Sequence, residues 1–170
     1  MKRIIYKKDS KGNNSEMKAL FLQSMDHFDK YYWTISTITS NTEVYQKLLQ
    51  NQSKIGEIYI KDYQRGISHS RDFHKTFKGH EKVHFISKRV FNQGEYSIHS
   101  KFYFFYTSDE EWRCFVGSFN LTDTAFDKNI EMTLCIDSNS PDGALFLQDV
   151  WNMFDYLRTS SIFREKEGKQ

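Results

Sequence analysis

The run Tyr96-Ser97-Ile98-His99-Ser100-Lys101-Phe102-Tyr103-Phe104-Phe105-Tyr106 is rich in strand-forming aromatics and demands a place in a sheet. Thr107-Ser108-Asp109-Glu110-Glu111 then reads as a polar hairpin turn, and Trp112-Arg113-Cys114-Phe115-Val116 as the returning strand. The flanking sequence alternates in kind. Arg3 to Lys7 reads as a first strand, followed by a polar Gly-Asn loop. Ser15 can cap a helix running to about Asp29, with Met17, Leu20, Phe21, Met25 and Phe28 on one face. Trp33 to Thr39 alternates as a strand, Thr42 to Gln50 has helical spacing, and Ile55 to Ile60 reads as an inner strand. A helix around Ser68 to Thr76, a strand Val83 to Ile86, a short helix Leu121 to Phe126 and a last strand Ile130 to Ile136 follow. Ser140-Pro141 starts a closing helix that turns Leu145, Val150, Trp151, Phe154 and Leu157 inward. The pattern predicts an α/β fold: a mixed β-sheet covered by helices on both faces.

Length and composition bound the rest. The 170 residues are 16% aromatic, enough bulk for one core, and one Pro and eight Gly leave no obvious linker. A single domain over 1–170 is expected, with about 164–170 as a frayed tail. Cys114 and Cys135 both fall in predicted strands and read as two buried thiols. The basic start Met1-Lys2-Arg3-Ile4-Ile5-Tyr6-Lys7-Lys8 lacks the apolar stretch of a signal peptide, and no segment could span a membrane, so a cytoplasmic chain is expected.

The chemistry concentrates in His99-Ser100-Lys101, Gly117-Ser118-Phe119-Asn120 and Glu131. Six histidines among seventeen lysines make a His-x-Lys match by chance quite ordinary, and His80-Glu81-Lys82 is such a match. No Gly-Ser-x-Asn follows that second pair at a comparable distance; it reads as a solvated surface pair. His99 and Lys101, two apart in the strand-like run, should project from one face. Gly117 permits close backbone approach to an anion, and the Ser118 hydroxyl and Asn120 amide are neutral donors. Ser118 and Asn120 could equally cap the helix after them, and Glu131 could be an ordinary outward strand residue.

The order H-x-K, then G-S-F-N, then a Glu eleven residues past the Asn resembles the phospholipase D (PLD) superfamily. It is most similar to the short nuclease branch with one motif per chain, which holds Nuc-type endonucleases and metal-independent restriction enzymes. The resemblance runs over roughly residues 15 to 158 by element order and over His99 to Glu131 by motif. It implies a PLD-like mixed sheet and a phosphodiesterase that needs no metal or other cofactor. By the same resemblance His99 attacks phosphorus and forms a phosphohistidine. Lys101 and Asn120 hold the non-bridging oxygens, Ser118 adds a hydrogen bond near the phosphate, and Glu131 accepts from the far ring nitrogen of His99 to fix its tautomer. The family's H-x-K-x-x-x-x-D pattern is broken: Tyr106 stands where that Asp belongs, and Asp109 comes three residues later.

The resemblance implies a site built from two motifs, and since no internal repeat supplies a second one, it implies a homodimer sharing one site. Phe102, Phe104 or Phe119 would form its aromatic rim. Net charge is only +2, but Lys61, Arg65, Arg71, Lys75, Lys78 and Lys82 crowd one stretch with Tyr63, Phe73 and Phe77 between them. That stretch suits a nucleic-acid backbone, with the aromatics stacking on bases or anchoring the segment to its own core, and the resemblance to nucleases favours DNA over RNA. His69, His74, His80 and His84 fit no compact zinc-ligand spacing. Two other functions fit the residues less well: a lipid or small-diester phosphodiesterase, and a catalytically silent nucleic-acid or partner-binding module motivated by Tyr106.

Overall fold

The computed structural model describes residues 2–6, 15–61, 70–86 and 98–160. Among the described residues, seven strands form one sheet in the order β1-β7-β6-β5-β2-β3-β4. They are β1 (Lys2–Tyr6), β2 (Lys30–Ile35), β3 (Ile55–Lys61), β4 (Val83–Ile86), β5 (Phe102–Ser108), β6 (Glu111–Gly117) and β7 (Met132–Asp137). β2, β3 and β4 run parallel, and every other neighbouring pair is antiparallel. The helices are α1 (Ser15–His27), α2 (Glu43–Gln50), α3 (Arg71–Phe77) and α4 (Gly143–Thr159).

Strand alternation divides the apolar side chains into two cores, one on each face of the sheet. On one face Tyr31, Trp33, Tyr103, Phe105 and Phe115 meet α1, α2 and α3. Phe21 of α1 is the hub there, its ring 5.2 Å from Tyr103, 5.5 Å from Trp33 and 5.8 Å from Phe119. On the other face Tyr59, Phe104, Trp112 and Cys114 meet Leu147, Val150, Phe154 and Leu157 of α4. The expected mixed sheet with helices on both faces is therefore present. Both cysteines are buried, and they belong to different cores: Cys114 packs with α4, Cys135 with α1.

One buried charge network lies on the α4 face. Glu57 accepts from the Tyr59 hydroxyl at 2.7 Å and from Arg158 Nε at 2.7 Å, with His84 Nε2 at 3.4 Å. Burial pushes its carboxyl pKa up, but the donors from His84, Tyr59 and Arg158 outweigh that and hold it below the ordinary range. The network ties β3 and β4 to the end of α4.

Element order follows the sequence expectation, with corrections at the edges. β2 starts at Lys30 and stops at Ile35, not Trp33 to Thr39, because pairing with β5 fixes it from Lys30↔Tyr106 to Thr34↔Phe102. β5 starts only at Phe102, so His99 and Lys101 stand outside any strand. The predicted helix Leu121 to Phe126 is a π-helical turn, Thr124–Lys128, closed by Asn129 N–H donating to the Thr124 carbonyl at 2.8 Å. Leu145 is 73% exposed: the inward phase of α4 is set by Leu147, Val150, Phe154 and Leu157, with Trp151 half-buried. Phe104 and Phe119 are fully buried and so cannot rim an interface.

Candidate active site

The carboxyl ends of β2 and β3, the start of β5, the end of β6 and the start of β7 lie at one end of the sheet. This is where open α/β sheets place ligands. The side chains singled out in the sequence gather there.

His99 is exposed on the segment just before β5. Lys101 folds back on it: Lys101 Nζ lies 3.1 Å from His99 Nδ1 and donates to the His99 carbonyl at 2.9 Å. The two side chains thus meet by direct contact, not by sharing a strand face. Partial burial pulls the Lys101 ammonium pKa down; the Glu131 charge opposes this, and the Lys61 charge adds to it. Lys61, at the end of β3, therefore lies within electrostatic reach of the site.

Gly117 ends β6, its N–H donating to the Lys101 carbonyl at 3.2 Å. The close approach that Gly117 permits is to β7: a Cβ there would sit 2.4 Å from the Met132 carbonyl oxygen. Ser118 N–H donates to that same oxygen at 3.1 Å, and Met132 N–H donates to Ser118 Oγ at 3.2 Å. The Ser118 hydroxyl donates to Glu131 Oε2. Glu131 is 6% exposed, and its other oxygen accepts from Asn129 Nδ2 at 3.1 Å. A hydroxyl has one hydrogen to give, so Ser118 here braces the carboxylate and has none left for a phosphate. Glu131 correspondingly bonds Ser118 and Asn129, where the sequence reading paired it with the His99 ring.

Neither Ser118 nor Asn120 caps the following turn; Thr122 Oγ1 does, accepting from Ala125 N–H at 3.1 Å. Asn120 keeps a buried Oδ1 with no hydrogen-bond partner among the described residues. An acceptor left open in this way has room for an N–H or O–H donor. Behind it the buried Tyr103 hydroxyl donates to the Phe119 carbonyl at 2.9 Å, and burial, then the Glu131 charge, push the Tyr103 pKa well up. The sequence reading missed Tyr103 and Thr34, whose Oγ1 lies 2.7 Å from Ser100 Oγ. Neither stood out from its strand-forming neighbours.

Of the basic stretch, Arg71, Lys75 and Lys78 are exposed on or just after α3, and Lys61 ends β3; Arg65 and Tyr63 lie outside the described residues. Phe73 and Phe77 are each 1% exposed and stack on one another at 4.5 Å, so they anchor α3 to the core and leave no face for a base. Among the described residues no group of three His, Cys, Asp or Glu side chains could hold a metal ion. His74 packs on Phe85, His80 Nδ1 accepts from Lys82 N–H, and His84 faces Glu57; His69 is outside the described residues. No helix among the described residues is long and apolar enough to cross a membrane.

Tyr106, in the place of the family's Asp, is far from this end of the sheet. Its ring packs 5.1 Å from Trp151, and its hydroxyl donates to Asp109 Oδ1 at 2.8 Å.

The arrangement is that of a PLD-like fold. The chain is similar to NucT from Helicobacter pylori, with 12% identity over 91% of this chain and 96% of that one, at a TM-score of 0.58. It is similar to Nuc from Salmonella typhimurium, a phospholipase D family member, with 16% identity over 90% and 92%, at 0.57. It also resembles phosphatidylserine synthase from Haemophilus influenzae Rd KW20, with 16% identity over 93% of this chain but 38% of that one, at 0.62. These likenesses concern the fold. A sequence-family profile described as "Cardiolipin synthase, PLD-like domain" matches residues 21–158, and the chain belongs to that family. Among curated proteins none matches the sequence at a significant level.

Proposed function

We propose that this single-domain chain is a phosphodiesterase, specifically an endonuclease that cuts nucleic acid, DNA over RNA, without a metal ion. The observation that carries the reading is the meeting, at one end of the sheet, of an exposed imidazole, the ammonium of Lys101 and the Glu131–Ser118 brace, with Asn120 following on the same loop. His99 attacks phosphorus through a ring nitrogen, the P–O bond to the leaving group breaks, and the leaving oxygen takes a proton. Lys101 and Asn120 supply the positive charge and the N–H donor that the crowded phosphoryl oxygens need. Water then attacks the phosphohistidine and returns the histidine.

With one motif per chain, the proton donor is His99 of a second copy across a twofold axis. Ile130 at 88% and Met132 at 62% exposure flank Glu131, and such apolar groups at the site's edge support a surface covered by that copy. Two apposed sites would also double the positive field offered by Lys61 and Lys101 to a polyanion. Nuc and NucT are matched over nearly their whole length, whereas only 38% of the phosphatidylserine synthase is covered, which supports a short nuclease over a lipid enzyme. The place of Tyr106, at the opposite end of the sheet, supports an active enzyme over a silent module.

The test is plasmid nicking by purified protein in millimolar EDTA beside His99→Ala. Nicking that survives chelator and disappears in the variant supports the reading. Restoration of a chelator-abolished activity by magnesium refutes the metal-free mechanism. Turnover of a phospholipid with DNA left intact would replace the nuclease by a lipid phosphodiesterase. Mixing with His99→Ala tests the shared site: dominant loss beyond dilution is expected, and Met132→Lys should yield monomers without activity.

A further inference from the structure

We infer that Thr34 is a positioning residue for His99 and Lys101, acting through Ser100, an assignment that rests on the phosphodiesterase reading above. Residues 98–101 belong to no helix or strand, so the backbone carrying both His99 and Lys101 lacks a ladder of sheet hydrogen bonds. Among the described residues two hydrogen bonds tie this segment to the sheet. One is Gly117 N–H to the Lys101 carbonyl at 3.2 Å. The other joins Thr34 Oγ1 to Ser100 Oγ at 2.7 Å, between the two reacting side chains in sequence.

The two partners are unequal in a way that locates the purpose of the bond. Thr34 is 3% exposed on β2, where a valine would have the same shape and no polar atom to satisfy. Ser100 is exposed, and water could satisfy it as well as Thr34 does. The bond is therefore a small net gain for folding, and its main effect is on where residue 100 lies. Fixing residue 100 fixes the chain direction at both His99 and Lys101.

The continuation of β2 does the same for the other half of the site. The Thr37 carbonyl accepts from Leu121 N–H at 3.1 Å, and Thr39 N–H donates to the Leu121 carbonyl at 3.0 Å, next to Asn120. Residues 34–39 thus hold the two halves of the site in mutual register, which is the requirement for an imidazole to reach phosphorus while the cation and amide reach its oxygens.

The experiment uses Thr34→Val, Ser100→Ala, the double variant and Thr34→Ser. Two readouts are taken: steady-state cleavage of bis(p-nitrophenyl) phosphate and DNA, and the His99 ring resonances in NMR, identified by their loss in His99→Ala. Each single variant should lower kcat by about tenfold or more with KM nearly unmoved; the thermal midpoint should hardly move in Thr34→Val and should fall by a few degrees in Ser100→Ala, which leaves the buried Thr34 hydroxyl without its partner. The double variant should be no worse than the poorer single one, and Thr34→Ser should restore most of the rate. The His99 resonances should broaden or move in Thr34→Val and return in Thr34→Ser. Wild-type kcat in Thr34→Val and Ser100→Ala, or multiplicative losses in the double variant, overturns the assignment. An inactive wild type refutes the reaction proposed above, and the ring resonances then decide the tie by themselves: unmoved resonances overturn it, and shifted ones uphold it.

Discussion

Gly117→Ala sets a methyl group against the backbone of the adjacent strand. The new Cβ would lie 2.4 Å from the Met132 carbonyl oxygen and 2.9 Å from both Cα and Oγ1 of Thr133. An ordinary carbon–oxygen contact is about 3.3 Å or more, so β6 and β7 must part by roughly 1 Å. They must part where Ser118 and Met132 exchange two hydrogen bonds, at 3.1 and 3.2 Å. Overpacking of this kind costs about 1–3 kcal/mol, and weakening the two bonds adds about 1 kcal/mol. A total of about 3 kcal/mol corresponds to a fall in thermal midpoint on the order of 10 °C for a chain of this size. Activity should fall further than stability, because the displaced Ser118 is the brace of Glu131. Gly79→Ala is the control: its φ is +93° and nothing lies within 4 Å, so it should cost about 1 kcal/mol through backbone strain alone and leave cleavage unchanged. Urea midpoints at constant slope measure stability, and nicking rates are compared well below both midpoints. A Gly117→Ala protein as stable as wild type, or no worse than Gly79→Ala in both assays, refutes the argument.

Phe21→Ala should be the most damaging core truncation, costing about 3–5 kcal/mol by urea melt, because the rings of Trp33, Tyr103 and Phe119 all lean on Phe21. Glu57→Gln should lower stability at neutral pH by about 1–3 kcal/mol. Since the folded carboxyl pKa is depressed, its contribution is present above the unfolded value and lost as pH falls through the folded one; the gap between variant and wild-type urea midpoints should close below about pH 4. Lys61→Gln removes a charge that lowers the Lys101 pKa, so the pH at which the Lys101 ammonium titrates, followed by its side-chain NMR resonances, should rise, and a titration that stays in place contradicts the electrostatic coupling.

The sequence was most readable where packing and local pattern agree. Val83 to Ile86 is bounded as expected, and Thr42 caps α2 by accepting from Tyr45 N–H at 3.1 Å. The stripe of Met17, Phe21 and Met25 is core because α1 has only one sheet to cover. What was misread depended on partners distant in sequence. The aromatic run looks like strand from Tyr96 onward, but the β5–β6 ladder ends at Phe102↔Val116, and residues 98–101 leave it. Leu145 fits the helical spacing of α4 and still points to solvent, since spacing alone leaves the exact phase of a stripe open. For the site, the motif picked out side chains that the fold carries to one end of the sheet, and left their bonding undetermined. Whether Glu131 meets His99 or Ser118 depends on how Ser118 and Met132 pair across β6 and β7, a matter of register. Thr34 was illegible for a similar reason: its hydroxyl has meaning only beside Ser100.

The separation of Cys114 and Cys135 by the sheet makes the pair a two-channel recorder. Burial pushes the Cys114 thiol pKa well up, and the Cys135 charge raises it further, so a thiol reagent must wait for its surroundings to open. Cys114 becomes reachable when α4 lifts, and Cys135 when the α1 side loosens. Labelling rates in the Cys114→Ala and Cys135→Ala backgrounds would therefore clock the two faces independently in one native molecule. Equal rates would mean that the two layers part from the sheet in a single event, and unequal rates would identify which layer lets go first.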